Sequence, residues 1–246
     1  KLNMIIAIIQ ARMGSSRLPN KTLMEIDGTP SLKFMINRVK KSKIIDKIIV
    51  ATTNSERDNE IVDFCKDNDI LFHRGSEGDV LDRYYQTAKE FKATTIVRLT
   101  SDCPLIDPNL IDGTINLYMQ KKVDYASNAV PPDKKKYPDG SDVEVFSFDA
   151  LQRSWIETTD LKDREHVTFY LWKRGLNFKT IMLDNEYDWG KYRITVDYKE
   201  DLDLVREIVK KLNKKNIFGS TKEIIDIIEE DKLFKINSMH TWGTNW

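Results

Sequence analysis

Three cations, a glycine and two serines are packed into the ten residues Arg12-Met13-Gly14-Ser15-Ser16-Arg17-Leu18-Pro19-Asn20-Lys21. A triphosphate is held by backbone N–H groups that approach closely, which Gly14 permits, and by cations that neutralise charge as it shifts between phosphates. Arg12, Arg17 and Lys21 supply the cations, and Gln10, Ala11, Gly14 and Ser15 surround them as nucleotide-binding candidates. Neither the P-loop pattern nor the Gly-x-Gly-x-x-Gly fingerprint is present. The same residues also suit a strand-to-helix turn carrying solvated charge.

Asp102, in the turn Ser101-Asp102-Cys103-Pro104, and Asp197, at the end of Tyr192–Val196, are the second feature. Two carboxylates at strand ends, completed by phosphate oxygens and water, form a hard-oxygen site suited to Mg²⁺. Both also fit plain turn or N-cap roles, Asp197 as a cap for a helix starting at Lys199.

These residues have to be carried by elements that bring them together. Short β-branched runs alternate with amphipathic helical patterns, which predicts a parallel α/β sheet. Strands are expected near Met4–Gln10, Lys47–Thr52, Leu71–Phe72 and Thr94–Leu99, with helices near Ser31–Ser42, Glu56–Asn68 and Asp79–Phe91. Asp107 should cap a helix opening at Pro108. Ligands of such sheets sit at the carboxyl ends of the strands. The cradle, Thr52-Thr53, Arg74-Gly75-Ser76 and Ser101-Asp102 all follow expected strands, so four loops meet at one edge.

Beyond Ser127 the run Pro131-Pro132-Asp133-Lys134-Lys135-Lys136-Tyr137-Pro138-Asp139-Gly140 reads as a loop, its lysine triplet as solvated surface. A strand over Val143–Ser147, helices over Phe148–Glu157 and Asp163–Arg174, strand character at 178–183 and 192–197, and a helix over Lys199–Asn213 follow. Without repeats or a low-complexity linker, the expectation is one domain over residues 1–246 with an inserted arm around 128–190. The aromatic tail Asn237–Trp246 has no period and is left unassigned, with Trp242 and Trp246 packing on the body or on a partner subunit.

Gln10-Ala11-Arg12-Met13-Gly14-Ser15-Ser16-Arg17-Leu18-Pro19-x-Lys21 resembles the signature of the CTP-dependent sugar nucleotidyltransferases, the acylneuraminate and ketodeoxyoctonate cytidylyltransferases, and most closely their spore-coat-polysaccharide branch. Further matching segments run from Ile49-Val50-Ala51-Thr52-Thr53 and Phe72–Tyr85 through Val97–Asp107, Asp142–Ser147 and Arg164–Thr168 to Arg193–Leu202. The resemblance covers roughly residues 4 to 210 in the family's order.

It implies a Rossmann-like, GT-A-type α/β fold with a mixed, mainly parallel sheet flanked by helices, and transfer of CMP from CTP to an acceptor with loss of pyrophosphate. It implies Mg²⁺, with Mn²⁺ as an alternative, on Asp102 and Asp197. Nucleobase contacts map to Thr52, Thr53, Arg74 and Ser76, with Arg74 equally suited to bracing its loop. Acceptor contacts map to Asp142, Glu144, Arg164 and Glu165, with Asp139 nearby, and His166 is the general-base candidate or a plain hydrogen-bonded histidine. Asp79 reads instead as an N-terminal dipole partner of its helix. A homodimer is expected from the family and from the arm's composition. Phe169 stands where relatives often carry Pro, and the acceptor loop is long, so the acceptor stays open between a sugar acid and a phosphate or phosphonate.

Composition narrows the alternatives. Lys+Arg and Asp+Glu each number 39, which gives no global field for nucleic acid. Two distant cysteines and three histidines argue against structural zinc and a disulfide framework. The longest apolar run is too short to span a bilayer, so a cytoplasmic protein without membrane insertion is expected. A GT-A glycosyltransferase would place Asp-x-Asp after the fourth strand, where Ser101-Asp102-Cys103 stands. A catalytically silent subunit would not need all five charged residues Arg12, Arg17, Lys21, Asp102 and Asp197.

Overall fold

A computed structural model describes residues 3–173 and 178–240. The first half alternates strand and helix: β1 (Ile5–Gln10), the small hairpin β2 (Glu25–Ile26) and β3 (Thr29–Pro30), α1 (Ser31–Val39), β4 (Lys47–Thr53), α2 (Asn59–Asp67), β5 (Leu71–Gly75), α3 (Val80–Glu90), β6 (Thr95–Thr100) and α4 (Pro108–Lys121). The second half holds β7 (Tyr125–Ser127), β8 (Glu144–Ser147), α5 (Phe148–Glu157), α6 (Leu161–His166), α7 (Phe169–Trp172), β9 (Thr180–Met182), α8 (Lys199–Lys215) and α9 (Thr221–Glu230).

Among the described residues one sheet runs in the order β5-β4-β1-β6-β8-β7-β9. Strands β5, β4, β1 and β6 are parallel, and β8 enters antiparallel between β6 and β7. The expected mixed, mainly parallel sheet is therefore present. β1 is apolar at every position but the last because both its faces are covered. Ala7 and Ile9 pack with Leu32, Met35 and Ile36 of α1 and Ile111 of α4. Ile6 and Ile8 pack on the opposite side with Leu81 and Tyr84 of α3 and Leu151 of α5. Each such isoleucine contributes about 1.5–3 kcal/mol through burial. A third cluster joins α8 and α9 to Leu18 and Leu105, just behind the cradle and the Asp102 turn.

Three expectations are corrected. The 192–197 segment is extended but forms only an isolated bridge, Asp139 to Arg193, because its N–H groups are taken by loop carbonyls: Ile194 N–H donates to Asp139 O (2.7 Å) and Val196 N–H to Asp102 O (2.8 Å). The helix expected over Asp163–Arg174 is broken into α6 and α7 at Val167, whose φ of 62° lies outside the helical region, and Arg174 is outside the described residues. Lys135 is not solvated: its ammonium is buried against Asp142 (2.6 Å) and Asp139 (3.8 Å), while Lys134 is exposed. Asp107 does cap α4, accepting from Asn109 N–H (2.9 Å).

Candidate active site

The loop after β1 is held open by its own backbone and by its neighbours. Met13 N–H donates to Asp58 Oδ1 (2.7 Å), Thr22 Oγ1 donates to Arg12 O (2.9 Å), and Asn20 turns in the left-handed region at φ 62°. This fixes the path of the chain while leaving Arg12 and Arg17 exposed. Arg12 has no ion-pair partner among the described residues. The cleft above this loop measures about 540 Å³ and is lined by Gln10, Ala11, Arg12, Gly14, Ser15, Arg17, Lys21, Asp102, Glu165, His166 and Asp197. Of the four loops expected at this edge, the cradle and Ser101-Asp102 line the cleft and the loop after β5 reaches it only through Glu77 and Gly78, while Glu165, His166 and Asp197 complete the lining from the second half.

Lys21 is the centre of the charge cluster. Its ammonium donates to Asp197 Oδ1 (2.8 Å) and Val196 O (2.8 Å) and lies 3.5 Å from Asp102 Oδ2. Burial opposes charge on Lys21, yet the fields of Asp102 and Asp197 overcome it and raise its pKa. Burial likewise opposes charge on Asp197, but Lys21 and Arg17 (3.0 Å), with Arg193 (3.1 Å), hold its carboxyl below the usual range. Asp197 is not the N-cap of α8, a place taken by Tyr198.

The fully buried Asp201 organises this region. It accepts from the N–H groups of Asp197 (3.0 Å) and Tyr198 (3.0 Å), from Arg193 Nε and Nη2, and from Asn237 Nδ2 (2.8 Å). Among the described residues no cluster of three or more acidic, histidine or cysteine side chains forms a complete metal cage. Two carboxylates lining a cleft that also presents Arg12 and Arg17 are nevertheless the kind of donor set that Mg²⁺ or Mn²⁺ uses when substrate phosphates and water fill the other positions. The residues fit such an ion.

A second cavity of about 370 Å³ adjoins the first, sharing Arg17, Arg98, Thr100, Asp102, His166 and Asp197 with it and adding Asp139, Asp142, Glu144, Arg193, Tyr198, Met239 and His240. Its carboxylates crowd one another. Desolvation first, then the charge of Asp142, pushes Asp139 up to about 6. Glu144 is buried and saturated, paired to Arg98 and accepting from Tyr125 Oη (2.6 Å) and Thr168 Oγ1 (2.5 Å). His166 faces both cavities and stacks on Phe169 (4.2 Å between centroids). Desolvation lowers its pKa, so its neutral imidazole can accept a proton.

Several expected contact residues are used elsewhere. Thr52 and Thr53 are fully buried, Thr53 Oγ1 donating to Asp58. Arg74 spends its guanidinium on Thr53 O, Ser55 O and Asn59 Oδ1, each at 2.8 Å, so it braces its loop. Ser76 Oγ accepts from Asp79 N–H (3.0 Å). These four lie behind the cleft wall, where Ala11, Glu77, Gly78 and Arg83 form the lining instead. Arg164 is locked in a bidentate pair with Asp79 (2.6 and 3.0 Å) and also donates to Trp155 O, which makes it a strut between α3 and α6. Asp79 also caps α3 by accepting from Asp82 N–H (2.9 Å). Arg98, Arg193, Tyr198 and His240 were not singled out in the sequence, although an arginine inside the apolar strand Thr95–Thr100 was a readable signal.

Comparison with known proteins agrees with this geometry. The family model described as cytidylyltransferase matches residues 6–224. An uncharacterised protein of Methanocaldococcus jannaschii is 39% identical over 237 residues, covering 95% of this chain and 94% of its own. The spore coat polysaccharide biosynthesis protein SpsF of Bacillus subtilis is 31% identical, covering 94% and 96%. A solved cytidylyltransferase from Leptospira borgpetersenii superposes with a TM-score of 0.87 at 32% identity over 97% of this chain and 98% of its own. A family model matched from β1 into α9, and relatives of more than 30% identity aligned over nearly the whole chain, show that this chain belongs to the cytidylyltransferase family.

Proposed function

We propose that the chain transfers CMP from CTP to a sugar acid or to a phosphorylated or phosphonate acceptor and releases pyrophosphate, as a cytoplasmic homodimer serving surface polysaccharide or glycoconjugate synthesis. The single observation that carries this reading is the meeting of Arg12, Arg17 and Lys21 with Asp102 and Asp197 in one cleft. The relative's part in spore coat polysaccharide biosynthesis supports the pathway class. On this reading one domain handles both substrates, and residues around 128–190 serve the acceptor and the dimer.

Asp102 and Asp197 would hold a divalent ion, which supplies Lewis-acid stabilisation of phosphate charge when bound. Arg12, Arg17 and Lys21 grip the β- and γ-phosphates and stabilise the departing pyrophosphate, a preorganised electrostatic contribution. Gln10, Ala11, Gly14 and Ser15 shape the wall against which the phosphates lie. The acceptor oxygen attacks the α-phosphorus in line from the second cavity, where Asp142 and Glu144 form part of the wall and Glu165 stands beside His166. For a sugar hydroxyl His166 takes the proton; an ionised phosphate needs no base.

Pyrophosphate release from CTP, compared with ATP and GTP over a panel of acceptors, tests the assignment. Equal affinity for all the nucleotides in calorimetry removes it. Asp102→Asn should lower turnover about 100-fold with the fold intact, and near-parent turnover at limiting Mg²⁺ would place the ion elsewhere. A monomer in sedimentation at high concentration removes the dimer.

A further inference from the structure

The second cavity is not closed by the sheet and its loops alone. Its outer wall is the segment that follows α9, where Met239 and His240 line the cavity beside Tyr198. This wall is anchored at several points. Asn237 is buried, donating to Asp201 Oδ1 (2.8 Å) and Arg193 O (3.2 Å), and His240 N–H turns back onto Asn237 O (3.0 Å). The His240 ring lies flat on the Tyr198 ring, with centroids 3.8 Å apart and planes 4° apart, and its Nε2 is 3.0 Å from Glu200 Oε2. The Arg17 guanidinium lies over the same tyrosine, 5.2 Å from its centroid. Met239 stays well exposed although it borders the cavity.

From this arrangement we propose that Asn237–His240 is the acceptor-selecting wall of the enzyme, with His240 and Met239 as specificity-determining residues. The proposal rests on the cytidylyltransferase reading. The wall stands on the acceptor side of Asp102 and Asp197 and outside the cleft that holds the cradle. It therefore sets which acceptor fits and keeps water from the α-phosphorus, while the CTP contacts are made elsewhere. His240 acts through its stack on Tyr198, which lines the same cavity, as well as through its own surface.

Water is the smallest acceptor and gives a test that needs no knowledge of the natural one. Its oxygen attacks the α-phosphorus, the bond to the α,β-bridging oxygen breaks, pyrophosphate leaves, and a proton passes to solvent, giving CMP. CMP and pyrophosphate are measured from CTP with Mg²⁺ in the full chain, first without added acceptor and then with 3-deoxy-manno-octulosonate or N-acetylneuraminate. His240→Ala and Met239→Ala should raise the water-supported rate about three- to tenfold, the size of a lost aromatic or thioether contact, with the KM for CTP unchanged. His240→Phe, which keeps a flat ring on Tyr198, should stay near the parent. With whichever added acid the parent consumes, its KM should rise by a similar factor in the alanine variants.

Water-supported rates that stay within about twofold of the parent in both alanine variants, with unchanged melting temperatures, overturn the wall, since even a weak ring contact exceeds that. A rise in the CTP KM equal to the change in rate also overturns it, because the segment would then be serving the nucleotide. A parent that releases no pyrophosphate from CTP with water, with either acid or with a panel of phosphorylated and phosphonate acceptors overturns the cytidylyltransferase reading itself, and the wall with it.

Discussion

Replacing Lys21 with methionine removes one charge from the point where the two aspartates meet while keeping the length of the side chain. The ammonium sits 2.8 Å from Asp197 and 3.5 Å from Asp102. An ion pair at such range is worth about 4 kcal/mol at an effective dielectric constant of 20. Much of that is offset by desolvation of the buried lysine. Arg17 and Arg193 still pair with Asp197 in the variant, and the Asp102 side chain is 31% exposed and reaches water. The net loss of stability should therefore be about 1–2 kcal/mol, a fall in melting temperature of about 3–6 °C for a chain of this length.

Turnover should suffer more, because a cation aimed at the departing pyrophosphate contributes most in the transition state. A loss of about 10²–10³-fold, or about 3–4 kcal/mol, is expected at saturating CTP. The nucleotide-free protein should change in the opposite sense. With the competing ammonium gone, Mn²⁺ should bind between Asp102 and Asp197 about tenfold more tightly. Pyrophosphate release, differential scanning calorimetry and Mn²⁺ titration by electron paramagnetic resonance read the three quantities. Turnover within about fivefold of the parent, far less than one preorganised group supplies, together with unchanged Mn²⁺ affinity would refute the placement of Lys21 between phosphate and metal.

Lys135→Met should cost about 2–4 kcal/mol at pH 8, whereas exposed Lys134→Met should be nearly silent. Protonated Asp139 supports the fold fully below its ordinary value of 3.8 and loses that support as pH rises through about 6. The Lys135 defect should therefore shrink at acid pH, and chemical denaturation at pH 5 and pH 8 compares the two. His166→Gln should abolish the acid limb of kcat/KM, which in the parent falls as pH drops through a value below the ordinary imidazole one; a pH profile with an unchanged limb assigns it to another group. Gly140→Ala should destabilise the fold by more than about 3 kcal/mol, since φ is 98° and the new Cβ would lie 2.2 Å from Thr195 N. A melting temperature like the parent's would show that the chain around the Asp139–Arg193 bridge yields freely.

The first half of the fold is legible in the sequence because its signals are local. β-branched runs that end in glycine, serine or aspartate mark both the strands and the loops at their carboxyl ends, and β1, β4, β5 and β6 appear within a few residues of expectation. What failed depended on distant partners. The lysine triplet looks alike in sequence, but Lys135 alone meets Asp139 and Asp142 across a loop. Arg74 reads in sequence equally as a base contact or a loop brace and Arg164 as an acceptor contact, because an arginine's charge is visible there and the carbonyls or carboxylate that engage it in the fold are not. Residues 192–197 have strand composition, yet no neighbouring strand offers them a ladder. The α9 helix lies beyond the expected elements, although the sequence carries a signal for it, the capping box of Ser220 with Glu223 just after Gly219.

The antiparallel entry of β8 beside β6 has an evolutionary consequence. On one side of that seam lie the parallel strands whose loops meet CTP on the proposed reading; on the other, β8, β7 and β9 with the chain that follows them. The seam is closely knit: the β6–β8 ladder, Ile6 and Ile8 against Leu151, the Arg164–Asp79 strut, and the ion pairs of Arg98 with Glu144 and Lys21 with Asp197 all cross it. Because Asp197 and His166 stand on the far side of that seam, the second half is not free to drift: on the proposed reading only residues confined to the second cavity, such as Met239 and His240, can vary without touching the triphosphate cleft. On that reading, inheritance in this lineage is expected to hold the two sides of the seam constant together and to explore new acceptors along the outer wall of the second cavity.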